Sequence, residues 1–189
     1  MKKIFFSIAV TAIAVVAANA QNNLGGIYLN YNQLENNKPA YINDRNTKIR
    51  LNEFLGDYHI TVIENGEKQK LLKSDVYAYQ APKGVVMLCW NDGQYLLPAK
   101  GIIWIYSRDM TIFPGKETRR EKRHFYSVSG RDEILRLTIL NFKKYFPGKH
   151  VFHNFLDAQF RSDSELPQYD NYENKFKVNH ILEKTLFEK

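Results

Sequence analysis

Three sets of residues in this 189-residue sequence carry side chains suited to chemistry or recognition. The first is His150, His153 and Asp157. If residues 149–160 form a helix, these three fall within about a 60° arc, and imidazole with carboxylate on one helix face is how a helix offers ligands to zinc. Phe152, Phe155, Leu156 and Gln159 centre on the opposite face, so the His/Asp side is equally the solvent side of an amphipathic helix. No HExxH or comparable ligand spacing is present, and a catalytic zinc needs three protein ligands and an open position. The sequence therefore calls for no metal and no cofactor, with His150, His153 and Asp157 as the candidates should a metal bind.

The second set is the basic run Lys116-Glu117-Thr118-Arg119-Arg120-Glu121-Lys122-Arg123-His124. Arg119, Arg120, Lys122 and Arg123 suit phosphate or carboxylate groups of an anionic polymer, which arginine forks grip in bidentate fashion. Following Pro114-Gly115, the run reads as a solvated loop between strands. The third set is aromatic. Tyr77 and Tyr79 share one side of an expected strand, because side chains alternate with period two, and such rings could stack on sugars. Large aromatics also dominate strand cores. A nucleic-acid platform would interleave aromatic and basic residues; here they are separate, so nucleic acid is not the expected partner.

Other chemistries find little to stand on. Ser107, Ser127 and Ser129 occur in no Gly-x-Ser-x-Gly context. There is no phosphate loop or dinucleotide fingerprint. The acidic stretches at 163–165 and 170–173 lack the glycine and ligand spacing of a calcium loop. Paired carboxylates for glycoside cleavage are defined by spatial separation, which a sequence does not display.

The elements that must position these residues fall into two textures. Residues 58–128 are β-rich, with Tyr58–Ile63 followed by Asn65-Gly66, a strong hairpin signal. Gln69–Leu72, Val76–Tyr79, Val85–Trp90, Gln94–Leu97 and Ile102–Tyr106 follow, and His124–Val128 closes the series. Turns at Asp92-Gly93 and Lys100-Gly101 in place of helices imply an antiparallel meander of about six strands. Val85–Trp90 and Ile102–Tyr106 are apolar throughout, as strands covered on both faces are. From 132 to 187 the period shifts to that of helices. Leu135, Ile139, Phe142 and Phe146 share a face, Asp132 or Thr138 is the cap, and Pro147-Gly148 stops the segment. Helices over 149–160 and 172–187 complete an α+β fold in which C-terminal helices pack on the sheet. Residues 21–48 read as an irregular, Asn-rich lead-in with at most one short helix after Asn30, and 21–189 as a single domain.

Residues 1–20 have the form of a secretory signal peptide: Lys2 and Lys3, an uncharged run from Ile4 to Val16, then Ala18-Asn19-Ala20. The run is shorter than the roughly 20 apolar residues that span a bilayer, so no transmembrane anchor is expected once the signal is removed. Cleavage would also remove two of the seven net positive charges. The single cysteine, Cys89, lies in an apolar run and reads as buried. An exported chain with no second cysteine for an internal disulfide fits a bacterial envelope, periplasmic or secreted, better than a eukaryotic secretory route.

Several short stretches resemble a group of small, uncharacterised exported proteins typical of Bacteroidetes-type bacteria. They are Gly26-Ile27-Tyr28, Ser74-Asp75-Val76-Tyr77-Ala78-Tyr79, Gly101-Ile102-Ile103-Trp104-Ile105-Tyr106, Leu137-Thr138-Ile139-Leu140-Asn141-Phe142 and Asn179-His180-Ile181-Leu182. The resemblance implies export and a small single domain, and it brings no activity. The expectation is a non-catalytic envelope protein that binds a glycan, an anionic polymer or another protein. The alternative is a small envelope hydrolase using carboxylates or the His/Asp helix face.

Overall fold

The computed structural model describes residues 25–52, 58–81, 84–115 and 117–187; the signal-like residues 1–20 lie outside them. Among the described residues, antiparallel strands and four helices form a mixed α+β architecture. The strands are β1 (Gly26–Tyr28), β2 (Tyr41–Ile42), β3 (Thr47–Arg50), β4 (His59–Glu64), β5 (Glu67–Leu72), β6 (Ala78–Gln80), β7 (Val86–Trp90), β8 (Gly93–Ala99), β9 (Trp104–Ile112), β10 (Arg119–Ser127), β11 (Leu135–Arg136), β12 (Tyr169–Asp170) and β13 (Lys175–Phe176). The helices are α1 (Tyr31–Glu35), α2 (Ile139–Tyr145), α3 (His150–Gln159) and α4 (Lys177–Phe187). Eight strands form the main sheet in the order β11-β10-β9-β8-β7-β6-β1-β2; β3-β4-β5 and β12-β13 form two smaller ones.

Cross-strand register assigns the two faces of the main sheet. Ile27, Tyr79, Met87, Leu96, Ser107 and His124 are successive partners across β1, β6, β7, β8, β9 and β10, so they share one face. At the β1–β6 end this face is covered by the small sheet, through Ile60 and Val62 of β4 and the nearby Val76. At the β9–β10 end, Ile105 and Tyr126 lie beneath the C-terminal helices, against Phe142, Phe152, Leu156 and Leu182. The opposite face carries Tyr28, Leu88, Tyr95, Tyr106 and Phe125, with Leu34 of α1 packed against them.

The main sheet curls around that second face. Tyr31 of α1 stacks on Trp104 of β9 with ring centroids 5.8 Å apart. The Tyr77 hydroxyl, beside β6, donates to the Gly130 carbonyl beyond β10. Arg131 donates to the Asn32 side chain at 2.6 Å, and Lys100 pairs with Glu35 at 3.3 Å. Gly130 permits this closure, since a Cβ there would lie 2.5 Å from the Trp104 ring and 2.7 Å from Tyr31.

Several sequence expectations are corrected. The main sheet has eight strands, not about six, because pairing recruits β1, β2 and β11. Residues 26–50 are not an irregular lead-in: β1 pairs with both β2 and β6, and Ile27 and Tyr28 are essentially inaccessible to solvent. The asparagines there serve as local caps. Asn30 accepts the Gln33 amide at 3.0 Å to start α1, and Asn43 accepts the Ile49 amide at 3.1 Å. The short helix expected after Asn30 is α1.

The C-terminal part is not wholly helical. Leu135 belongs to β11, paired with Tyr126, and α2 starts only at its cap, Thr138, whose hydroxyl accepts the Asn141 amide at 3.1 Å. The segment before α4 contains β12 and β13. The Asn65-Gly66 hairpin forms as expected, with both residues at positive φ (51° and 89°), as a two-residue turn of this kind requires.

Candidate functional site

Between the small sheet and the outer half of the β9–β10 hairpin, one face of the main sheet remains open as a groove of about 1270 Å³, and the C-terminal helices do not line it. Met87, Cys89, Leu96 and Ser107 line it from the central strands. Tyr58, Leu72 and Lys73 stand on the side of the small sheet, and Asp109, Arg120 and Lys122 on the side of β9 and β10. Strand alternation explains this set. Asp109 pairs with Lys122 and Thr111 with Arg120 across the ladder, so all four project from one face.

The structure thus divides the expected basic cluster. Residues 119–123 are not a loop but the first half of β10, because each pairs with β9 over the whole of Ile112 to Arg108. Arg120 and Lys122 line the groove, whereas Arg119 and Arg123 project from the other face. Arg119 and Arg123 both pair with Glu121, at 3.8 and 3.2 Å.

Tyr77 and Tyr79 are separated too. Tyr77 belongs with the core inside the curl. Tyr79 packs beneath the small sheet and lines the groove, and its hydroxyl donates to Gln94 at 2.9 Å. The expectation that they offer one stacking surface fails. Tyr77 lies before β6, which begins at Ala78, so strand alternation does not govern it.

Lys73, Tyr58 and Asp109 were not singled out by sequence reasoning, and Ser107 was weighed only as a nucleophile. The alternation of polar and apolar residues in Asp109–Ile112 is the signal that could have placed Asp109 on a strand face. Lys73 and Tyr58 reach the groove only through the docking of the small sheet.

Burial pushes the Cys89 thiol up to about 11, against a smaller opposing effect of Lys73. At neutral pH it is therefore a protonated thiol with little nucleophilic character. His124, beside Ser107 on the same face, has its imidazole pKa lowered, first by burial and second by Lys122. A histidine whose folded pKa lies below its unfolded value binds fewer protons folded than unfolded, so stability rises with pH through that range. The contribution is present above about pH 6.5 and is lost as the pH falls below it. Between about pH 7.5 and pH 5, His124→Gln should therefore lose less thermal stability than the parent chain. Equal losses in a melting series would show that His124 has no such linkage.

On α3, His153 places Nε2 3.0 Å from the Phe146 carbonyl, and both carboxylate oxygens of Asp157 accept Lys143 at 2.7 Å. The rings of His150 and His153 are 6.2 Å apart. These contacts tie α3 to α2 and its turn. Among the described residues, no group of three or more His, Cys, Asp or Glu is placed to hold a metal ion.

Fold and site together describe an α+β protein whose curled antiparallel sheet carries an open, cation-flanked groove on its outer face. No family model, curated protein or solved structure matches the chain.

Proposed function

We propose that this is an exported, non-catalytic binding protein of a bacterial envelope, and that its groove holds a segment of an anionic glycan polymer. One observation carries the reading: Lys73 from the small sheet's side and Arg120 and Lys122 from β10 border the same open groove. Cations from separate elements around one cleft attract an anionic chain and raise its encounter rate. Guanidinium forks add bidentate contacts to carboxylate or phosphate. Leu72, Met87 and Leu96 supply apolar surface between the cations. Tyr58, 74% exposed at the edge, offers a ring to a sugar face. An open cleft suits a chain that enters and leaves at both ends. Export is supported by residues 1–20, and no helix among the described residues is long and apolar enough to cross a membrane. The alternative of a hydrolase working from the His150/His153/Asp157 face gains no support from a geometry in which Lys143 holds Asp157.

The test is isothermal titration of the purified protein with polygalacturonate, and with neutral dextran as control. Polygalacturonate should bind and dextran should not. Removing Lys73, Arg120 and Lys122 together by alanine should weaken binding at least about tenfold, the scale of one charge-assisted hydrogen bond. Arg119→Ala, on the opposite face of the same strand, should change it little. Unaltered affinity in the triple variant would remove the groove from consideration.

A further inference from the structure

The β9–β10 hairpin has a tip, Ile112 to Pro114, that the groove does not use. β8 begins at Gly93 and its partners on β9 run from Ile105 to Ser107, whereas β9 and β10 remain paired out to Ile112 and Arg119. The far end of the hairpin therefore extends past the rest of the sheet. Its tip is apolar: Ile112, Phe113 and Pro114 stand together, and Phe113 is 73% exposed. Its stem is cationic, with six Lys or Arg against three acids (Asp109, Glu117 and Glu121) between residues 108 and 123. Glu121 is already engaged by Arg119 and Arg123, while Arg120 and Lys122 have no ion pair among the described residues.

We infer that this hairpin is a docking arm for an anionic lipid surface, with Phe113 entering the interfacial layer and the stem cations meeting the headgroups. An exposed aromatic ring is favoured at the membrane–water interface. One ring alone attaches a protein weakly, and a basic collar beside it supplies the second signal that makes attachment useful. Each cation held near an anionic leaflet contributes about fivefold in affinity. A protein partner fits the tip less well. A stable protein interface needs about 800 Å² from each side, and three residues at a hairpin end cannot supply it. The arm shares Arg120 and Lys122 with the groove, but Phe113 and Arg119 do not line it, so different residues test the two readings.

The experiment is co-sedimentation of the purified protein with vesicles of phosphatidylcholine alone, and of an equal mixture with phosphatidylglycerol. The protein should bind the mixed vesicles and not the neutral ones. Phe113→Ser should weaken binding about tenfold and Arg119→Ser about fivefold. Phe113→Trp should retain binding, with its emission moved to the blue on adding mixed vesicles. Both positions are exposed, so the variants should melt with the parent. No sedimentation with mixed vesicles would overturn the inference. So would equal binding to neutral vesicles, or affinity unmoved by Phe113→Ser. Lys73→Ala, a groove variant, should leave vesicle binding unchanged, so the two readings fail separately.

Discussion

Phe142→Ala should lower the free energy of unfolding by about 3–5 kcal/mol, the range for truncating a buried aromatic. Phe142 is completely buried at the point where α2 meets the sheet. Its ring lies 4.4 Å from that of Tyr126 on β10 and 6.0 Å from that of Phe152 on α3. Sheet and both helices therefore converge on it. The void left by alanine cannot collapse without moving one of three elements, which places the cost at the high end. In a chain of this size the melting temperature should fall by roughly 10 °C. Leu140→Ala, two residues earlier and 74% exposed, should change stability by no more than about 0.5 kcal/mol. Denaturant unfolding of both variants decides the matter, and a loss below about 1 kcal/mol for Phe142→Ala would contradict this account of the core.

Asn179→Ala should cost about 2–4 kcal/mol for a different reason. Asn179 is 2% exposed on α4, and its amide holds both backbone groups of Ile103 just ahead of β9. Oδ1 accepts the Ile103 amide at 3.0 Å, and Nδ2 donates to the Ile103 carbonyl at 3.2 Å. The side chain thus acts as a short strand partner where the sheet provides none. Gly101 lies against the same amide and leaves no room for a Cβ. Alanine would leave a buried donor and a buried acceptor unsatisfied, and each carries a desolvation cost of about 1–3 kcal/mol. Asn179→Asp should fare no better, since a carboxylate cannot donate to the carbonyl and brings a buried charge. Amide hydrogen exchange is the specific readout. Ile103 should be strongly protected in the parent chain and exchange rapidly in Asn179→Ala, whereas unchanged protection would mean that another partner holds it.

How far these features were legible depends on the range of the interaction involved. The hairpin at Asn65-Gly66, the short helix after Asn30 and the stop at Pro147-Gly148 rest on local backbone preferences, and reading them required no knowledge of the rest of the chain. The face of α3 was legible because a period near 3.6 is a local pattern. Leu135 shows where this approach fails. Its spacing to Ile139 and Phe142 fits a helix, yet pairing with Tyr126 draws it into β11, and hydrogen bonds to the preceding strand outweigh a periodicity of four residues. The asparagines of 30–43 were misread in the opposite sense. Their composition marks irregular backbone, and they use it to cap α1 and to brace the turn from β2 to β3.

The candidate site shows the same division more sharply. The number and kind of cations in 116–123, and their suitability for anionic partners, are properties of the sequence alone. Which of them act together was decided by the register of β10 on β9, because a shift of one residue would exchange Arg120 and Lys122 for Arg119 and Arg123. The groove itself lies between the small sheet and the outer half of β9 and β10, on the same face that the C-terminal helices cover at Ile105 and Tyr126. Local pattern and composition determined the elements and their charges. The docking of the small sheet beside the β9–β10 hairpin, which brings Lys73 to the same groove as Arg120 and Lys122, is a product of long-range packing that no local stretch of the chain encodes.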